Sequence, residues 1–105
     1  MIYRMVKSIE QHQERIAALC RRYGMRKLEL FGSAATGRFD PDGSDFDFFY
    51  EFDDDPSSLS DRFFGFQEEL ERLLGRKVDL VSSRDAQNPY FLKVANQHRV
   101  TLYAA

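Results

Sequence analysis

Two stretches decide how this chain folds: KLELFGS at residues 27–33 and SDFDFFYEF at residues 44–52. The first alternates polar and apolar residues as far as Phe31, which predicts a β-strand with one buried face that ends at Gly32-Ser33. The second is rich in Phe and Tyr, which predicts another strand from Asp45 to about Phe52. Because Phe48 and Phe49 are adjacent, a ring projects from each side of this strand, and we expect both sides to be at least partly covered.

The remaining elements are predicted from periodicity and from residues that begin or end helices. Ser8 and Gln11 resemble a capping box that opens a first helix, and Gly24 is a typical residue to end it. Further elements follow in the order helix about 59–74, strand 77–81, helix about 88–98 and strand 100–103. This alternation predicts an α/β (α+β) fold, a small mixed β-sheet with helices packed on it, in a single domain spanning residues 1–105.

Composition narrows the class of protein. Hydrophobic residues make up 43% and charged residues 30% of 105 residues, which is typical of a soluble globular domain. Cys20 is the only cysteine, so no internal disulfide can form and a reducing compartment is expected. The sequence has no apolar run of about 20 residues and its N-terminal segment lacks the apolar stretch of a signal peptide, so we expect a cytoplasmic protein without membrane contact.

Acidic residues are concentrated in the middle of the chain. Residues 40–61 contain nine Asp or Glu side chains and no Lys or Arg, although the net charge is only −2. Such a region repels a phosphate backbone, so direct nucleic-acid binding is not expected there, whereas cation binding is favoured.

Three aspartates form the candidate metal site. Asp45 and Asp47 are two residues apart on a predicted strand, so both carboxylates project from one face. Like charges side by side repel each other, and a divalent cation such as Mg²⁺, which prefers hard oxygen ligands, removes the conflict. Asp79 lies between Val78 and Leu80 on another predicted strand. If the two strands are neighbours, three carboxylates meet and can organise two metal ions.

Gly32-Ser33 is the candidate phosphate site. It ends a strand and begins a predicted helical turn, so free backbone N–H groups point at whatever lies in front of them. Glycine allows a phosphate to approach the backbone, and the Ser33 hydroxyl adds a donor. A triphosphate held beside metal ions on Asp45 and Asp47 has the positioning and charge neutralisation that phosphoryl chemistry requires.

These motifs together resemble the signature of the polymerase-β-like nucleotidyltransferase superfamily. LFGS at 30–33, SDFD at 44–47 and KVDLV at 77–81 are most similar to the minimal nucleotidyltransferases, the MNT partners of HEPN-domain toxins, and NPY at 88–90 through LYA at 102–104 is also typical of them. The resemblance covers nearly the whole chain, from about Ser8 onward.

The resemblance implies an activity and a partner. It implies two Mg²⁺ ions on Asp45, Asp47 and Asp79, with ATP held by Gly32 and Ser33. An acceptor hydroxyl attacks the α-phosphate and pyrophosphate leaves, and the protein acts as an antitoxin by adding AMP to a tyrosine of a HEPN ribonuclease toxin.

Departures from the family pattern leave alternatives open. Thr36 stands where family members usually carry arginine, and Arg38 follows one place beyond Gly37. A second hypothesis is therefore a non-catalytic antitoxin that neutralises its toxin by direct contact. Under either hypothesis a homo- or hetero-oligomer is a possible assembly. A third is a subunit that supplies the nucleotide half of a small-molecule-modifying enzyme.

Some residues also have plainer interpretations. Asp40, Asp42, Ser44 and Glu51 have the spacing of a calcium-binding EF-hand loop, but Asp45 occupies the position where that loop needs glycine. We expect Cys20 and the phenylalanines to be core residues, and the basic group near the end of the first helix to be solvated or to meet an acidic partner. The phenylalanines are Phe46, Phe48, Phe49, Phe52, Phe63, Phe64 and Phe66, and the basic residues are Arg21, Arg22, Arg26 and Lys27.

Overall fold

The computed structural model describes residues 7–31, 46–54, 58–83 and 99–105. These segments form three helices and four strands. The helices are α1 (Lys7–Gln11), α2 (Gln13–Arg22) and α3 (Leu59–Leu74), and the strands are β1 (Met25–Phe31), β2 (Phe46–Phe52), β3 (Val78–Ser82) and β4 (Val100–Ala104).

The four described strands form one mixed sheet in the order β3-β2-β1-β4. β1 runs antiparallel to both of its neighbours, β2 and β4, whereas β2 and β3 run parallel. A parallel pair needs a long crossover connection, and α3 supplies it between β2 and β3. The predicted fold class, a small mixed sheet with helices packed on it, is therefore confirmed.

Most predicted bounds agree with the structure within two residues. α3 spans Leu59–Leu74 as predicted, and Gly75 follows it with a positive φ of 69°, as expected of the glycine that ends a helix. The capping box was wrong, because Lys7 and Ser8 already lie inside α1, and the first helix is interrupted at His12. The predicted turn at 34–36 and the predicted helix at 88–98 lie outside the described residues.

All three helices pack on the same side of the sheet. The main core combines side chains from the helices with every second residue of the strands; it includes Ile16, Cys20, Leu28, Leu30, Phe46, Phe48, Phe66, Leu70 and Val78. A second, smaller cluster joins Phe31 to Phe49, both buried, with Val81 packed against them. Phe48 and Phe49 therefore lie in different clusters, which confirms that both sides of β2 are covered.

One aromatic residue departs from the predicted core. Phe64 is 64% exposed, because its neighbours on α3, Phe63 and Phe66, take the positions that face the sheet. Within the part of the chain that the structure describes, no helix combines the length and apolar character needed to cross a membrane.

Candidate active site

The sheet has two faces with different residues. Leu28, Leu30, Phe46, Phe48 and Val78 point toward the helices. Side chains alternate along a strand, so the residues between them project from the opposite face. We call this opposite face the site face and define it by Glu29, Phe31, Asp47, Phe49, Asp79 and Val81.

Asp47 and Asp79 lie side by side on the site face. They are register partners in the parallel pair of β2 and β3, so they project in the same direction from neighbouring strands. Neighbouring strands are about 4.8 Å apart, which is close enough for two carboxylates to share one cation. Asp47 is half-buried and Asp79 is exposed, so the pair is accessible from solvent at its outer edge. The condition for the two carboxylates to meet, that the third predicted strand neighbours the second, is therefore fulfilled.

Contacts from α3 fix the strand that carries Asp79. The Gln67 side-chain amide donates a hydrogen bond to the Val78 carbonyl oxygen at 3.0 Å, and the Val78 N–H donates one to a Glu71 carboxylate oxygen at 2.9 Å. On the side that faces β2, the Phe46 N–H donates a hydrogen bond to the Lys77 carbonyl oxygen at 3.1 Å. The start of β3 is thus held both by the helix and by β2.

The end of β1 lies next to Asp47. Phe31 is the last described residue before Gly32, and it is the register partner of Asp47 in the antiparallel pair of β1 and β2. The ring of Phe31 stacks on that of Phe49 with centroids 4.0 Å apart and an interplanar angle of 15°. The strand that leads into the predicted phosphate-binding corner therefore ends beside one of the predicted metal ligands.

Three predicted site residues, Asp45, Gly32 and Ser33, lie outside the described residues, as does Thr36. In the segments that the structure does describe, no three His, Cys, Asp or Glu side chains form a cluster able to hold a metal ion. The structure brings together Asp47 and Asp79, and the place of the third carboxylate stays a prediction. Two hard oxygen donors side by side are nevertheless the kind of ligand set that Mg²⁺ accepts, with water and substrate completing its shell.

A buried ion pair on the site face was not singled out from the sequence. Glu29 is only 6% exposed, although its alternation with leucines suggests an outward-facing residue. Its carboxylate pairs with Arg99, whose guanidinium also packs over the Phe49 ring at 5.0 Å from the centroid. Lys27 adds a second cation at 3.7 Å from the same carboxylate. No local signal in the sequence indicated this burial, because a charged residue between two leucines is the usual pattern of an outward-facing strand position.

Charges away from the site face have structural partners. Arg22 pairs with Glu69 at 3.3 Å, and Arg26 pairs with both Glu51 and Asp54 at 3.1 and 2.9 Å.

The calcium-loop interpretation of residues 40–51 was wrong. Glu51 lies within β2, so a strand stands where a helix must follow an EF-hand loop.

A surface groove of about 510 Å³ lies between α2 and α3, on the helical side of the molecule. Its lining consists of His12, Arg15, Ala18, Leu19, Arg22, Glu69, Arg72 and Leu73. None of these residues belongs to the site face, so the groove is separate from the paired aspartates. We place the candidate active site at the aspartates because their chemistry, rather than the depth of a concavity, fits the sequence motifs.

A known protein family and several known proteins resemble this chain. The model of the nucleotidyltransferase domain family matches residues 13–102. A candidate protein adenylyltransferase of Methanocaldococcus jannaschii is 36% identical over 72 residues, which are 69% of this chain and 71% of that protein. The protein adenylyltransferase MntA of Thermococcus cleftensis is 43% identical over 60 residues, 57% of this chain and 58% of that protein.

Two solved structures have a fold similar to that of this chain. The structure of a candidate minimal nucleotidyltransferase matches with a TM-score of 0.73 at 27% identity, covering 92% of this chain and 95% of that one. A tri-AMPylated Shewanella oneidensis HEPN toxin in complex with an MNT antitoxin provides a second match, with a TM-score of 0.61 at 19% identity. It covers 91% of this chain and 72% of that one, and at this identity the likeness concerns the fold alone. The resemblance inferred from the three sequence motifs is thus confirmed.

Proposed function

The chain belongs to the nucleotidyltransferase domain family, and from that premise we propose that it is a magnesium-dependent protein adenylyltransferase that moves AMP from ATP to a hydroxyl group of a partner protein. The observation that carries the proposal is the register of Asp47 and Asp79, which places two carboxylates side by side on the site face. We propose that residues 1–105 act as one domain and work in the cytoplasm.

Each predicted site residue has a role in this proposal. Asp45 and Asp47 would hold two Mg²⁺ ions, and Asp79 would complete one of the two sites. Bound Mg²⁺ supplies positive charge that neutralises the triphosphate and lowers the pKa of the attacking hydroxyl. Gly32 and Ser33 would hold the triphosphate through backbone N–H groups and the Ser33 hydroxyl.

The proposed reaction is a single displacement of pyrophosphate from the α-phosphorus of ATP. The acceptor oxygen forms a bond to the α-phosphorus, the bond from that phosphorus to the bridging oxygen breaks, and pyrophosphate leaves. The Asp79 carboxylate assists removal of the hydroxyl proton, and its exposed position on the edge of the described sheet gives an acceptor from another protein access to it.

We propose a tyrosine of a HEPN toxin as the acceptor, so that the chain acts as an antitoxin. The support is twofold: the motifs resemble those of MNT proteins, and the fold matches a structure of a tri-AMPylated HEPN toxin in complex with an MNT antitoxin.

A labelling experiment tests the activity. The chain is incubated with α-³²P-ATP, Mg²⁺ and the product of the neighbouring gene, the candidate HEPN partner, and label on that partner is measured. We expect transfer by the wild type, its loss in Asp47→Asn, and its retention in Glu51→Gln, a matched carboxylate-to-amide change on the same strand. Absence of label from a wild-type chain that binds its partner would contradict the proposal.

A second candidate function is neutralisation by contact alone, and the observation that favours it is Thr36 in place of the usual arginine. The double variant Asp45→Asn/Asp47→Asn separates the two functions in a toxin-neutralisation assay. Full neutralisation by this variant would support contact alone, whereas growth arrest by the released toxin would support AMP transfer.

A further inference from the structure

β3, which carries Asp79, pairs with only one strand, β2, among the described strands. An edge strand has backbone N–H and C=O groups that no neighbouring strand engages, so on that side its backbone is held only by contacts from outside the sheet. The direction of the exposed Asp79 side chain therefore depends on what fixes β3.

Two side chains of α3 engage the edge of β3 at Val78, the residue directly before Asp79. Gln67 donates its side-chain N–H to the Val78 carbonyl oxygen at 3.0 Å. Glu71 accepts the Val78 N–H at 2.9 Å. The two bonds have opposite polarity, as do the bonds that a further β-strand would form.

The helix that carries these side chains is itself well anchored. Gln67 and Glu71 are four residues apart, so they lie on one side of α3, about one turn from each other. Phe66 and Leu70, their neighbours in sequence, are fully buried in the main core together with Val78. A movement of β3 relative to α3 would therefore break both hydrogen bonds and disturb the core.

We propose that Gln67 and Glu71 are positioning residues that hold the Asp79 carboxylate beside that of Asp47 through the backbone of Val78. This inference rests on the proposed function, because Asp79 must share a site with Asp47 for the position to matter. Transfer reactions depend steeply on such geometry, since a displacement of about 1 Å can lower a rate by about 100-fold.

The opposite polarity of the two bonds provides an isosteric test. Gln67→Glu replaces the donor by a carboxylate that faces the Val78 carbonyl oxygen, and we expect kcat for AMP transfer to fall by about 10-fold while KM for ATP changes by less than about twofold. Glu71→Gln keeps an oxygen acceptor for the Val78 N–H, so kcat should stay within about twofold of the wild type. Glu71→Leu removes the acceptor and should behave like Gln67→Glu.

Two controls separate positioning from general stability. Glu68→Gln makes the same chemical change on an exposed residue of α3 and should leave kcat unchanged. Rates are measured well below the melting temperature of each variant, and hydrogen exchange of the Val78 amide is followed in parallel. This amide should lose protection in Glu71→Leu and keep it in Glu71→Gln.

The outcomes are distinguishable. If the wild type transfers AMP and Gln67→Glu lowers the melting temperature without changing kcat, the two side chains are merely structural and the inference is overturned. Equal losses of kcat in Gln67→Glu and Glu71→Gln would also overturn it, because the polarity argument would fail. A wild type that transfers no AMP to its partner contradicts the proposed function itself, and the positioning role with it.

Discussion

The backbone N–H of Asp53 donates a hydrogen bond to the carbonyl oxygen of Gly24 at 2.8 Å, which joins the end of β2 to the turn between α2 and β1. Arg62 of α3 closes the same corner: it pairs with Asp53 at 3.0 Å and packs over the Phe52 ring at 4.7 Å from the centroid. Gly24 has a positive φ of 71°, and a Cβ atom there would lie 2.5 Å from the Arg62 guanidinium. The positive φ therefore favours glycine at this corner, and an added Cβ would displace the ends of the Arg62 and Asp53 side chains.

We expect Gly24→Ala to lower the free energy of unfolding by about 2–3 kcal/mol, because left-handed strain adds to displacement of the Arg62–Asp53 pair. Gly75→Ala is the matched control, with φ 69° and no atom within 4 Å of the added Cβ, and it should cost only about 1 kcal/mol. Urea unfolding of both variants measures the difference. Equal losses of unfolding free energy in the two variants would show that the side chains around Gly24 move away from the added Cβ without an energetic cost.

The Glu29–Arg99 ion pair predicts a strong non-additivity. Arg99→Met leaves the buried Glu29 carboxylate with the more distant Lys27 and a long hydrogen bond from the Thr101 hydroxyl, so we expect a loss of about 2–3 kcal/mol. The double variant Glu29→Gln/Arg99→Met removes both charges and should be more stable than Arg99→Met alone, although it also loses the contact over Phe49. Chemical denaturation of the two single variants and the double variant completes the cycle. A double variant less stable than either single variant would contradict this account.

The sequence predicts local elements well and long-range partners only in part. The bounds of α3 follow from its own periodicity and from Gly75, and the strand that carries Asp79 is evident from its apolar neighbours. The adjacency of Asp47 and Asp79 depends on a crossover between strands about 30 residues apart, so the sequence supports it only through the family motif. Arg99, the nearest partner of Glu29, is 70 residues away in the chain, and Gln67 and Glu71 bind the backbone of a strand; no local pattern marks such contacts.

The paired aspartates predict a metal-dependent change in stability. In the absence of divalent cations, Asp79→Asn should change the free energy of unfolding by less than about 0.5 kcal/mol, because Asp79 is exposed and its substitution removes only the repulsion with Asp47. Mg²⁺ at about 100 times its Kd should stabilise the wild type by about 2.7 kcal/mol. The gain should be much smaller in Asp79→Asn and unchanged in Glu51→Gln. Melting curves over a series of Mg²⁺ concentrations measure it, and an equal gain in all three proteins would place the cation elsewhere.

The fully buried Cys20 predicts how stability depends on alkaline pH. Burial in the core raises the pKa of the Cys20 thiol from 9.0 to about 12, so the folded protein keeps the thiol protonated while the unfolded chain ionises it at lower pH. The contribution of this group to stability is therefore complete below about pH 9 and is lost progressively between about pH 9 and 12. In Cys20→Ala the decline of stability from pH 9 to 12 should be shallower than in the wild type.

Burial of Cys20 also predicts slow chemical labelling. A thiol-specific reagent at pH 8 should label Cys20 only as fast as the chain opens, and denaturant should accelerate labelling in parallel with unfolding. Rapid labelling of the native protein would show instead that the thiol is reached by solvent without unfolding.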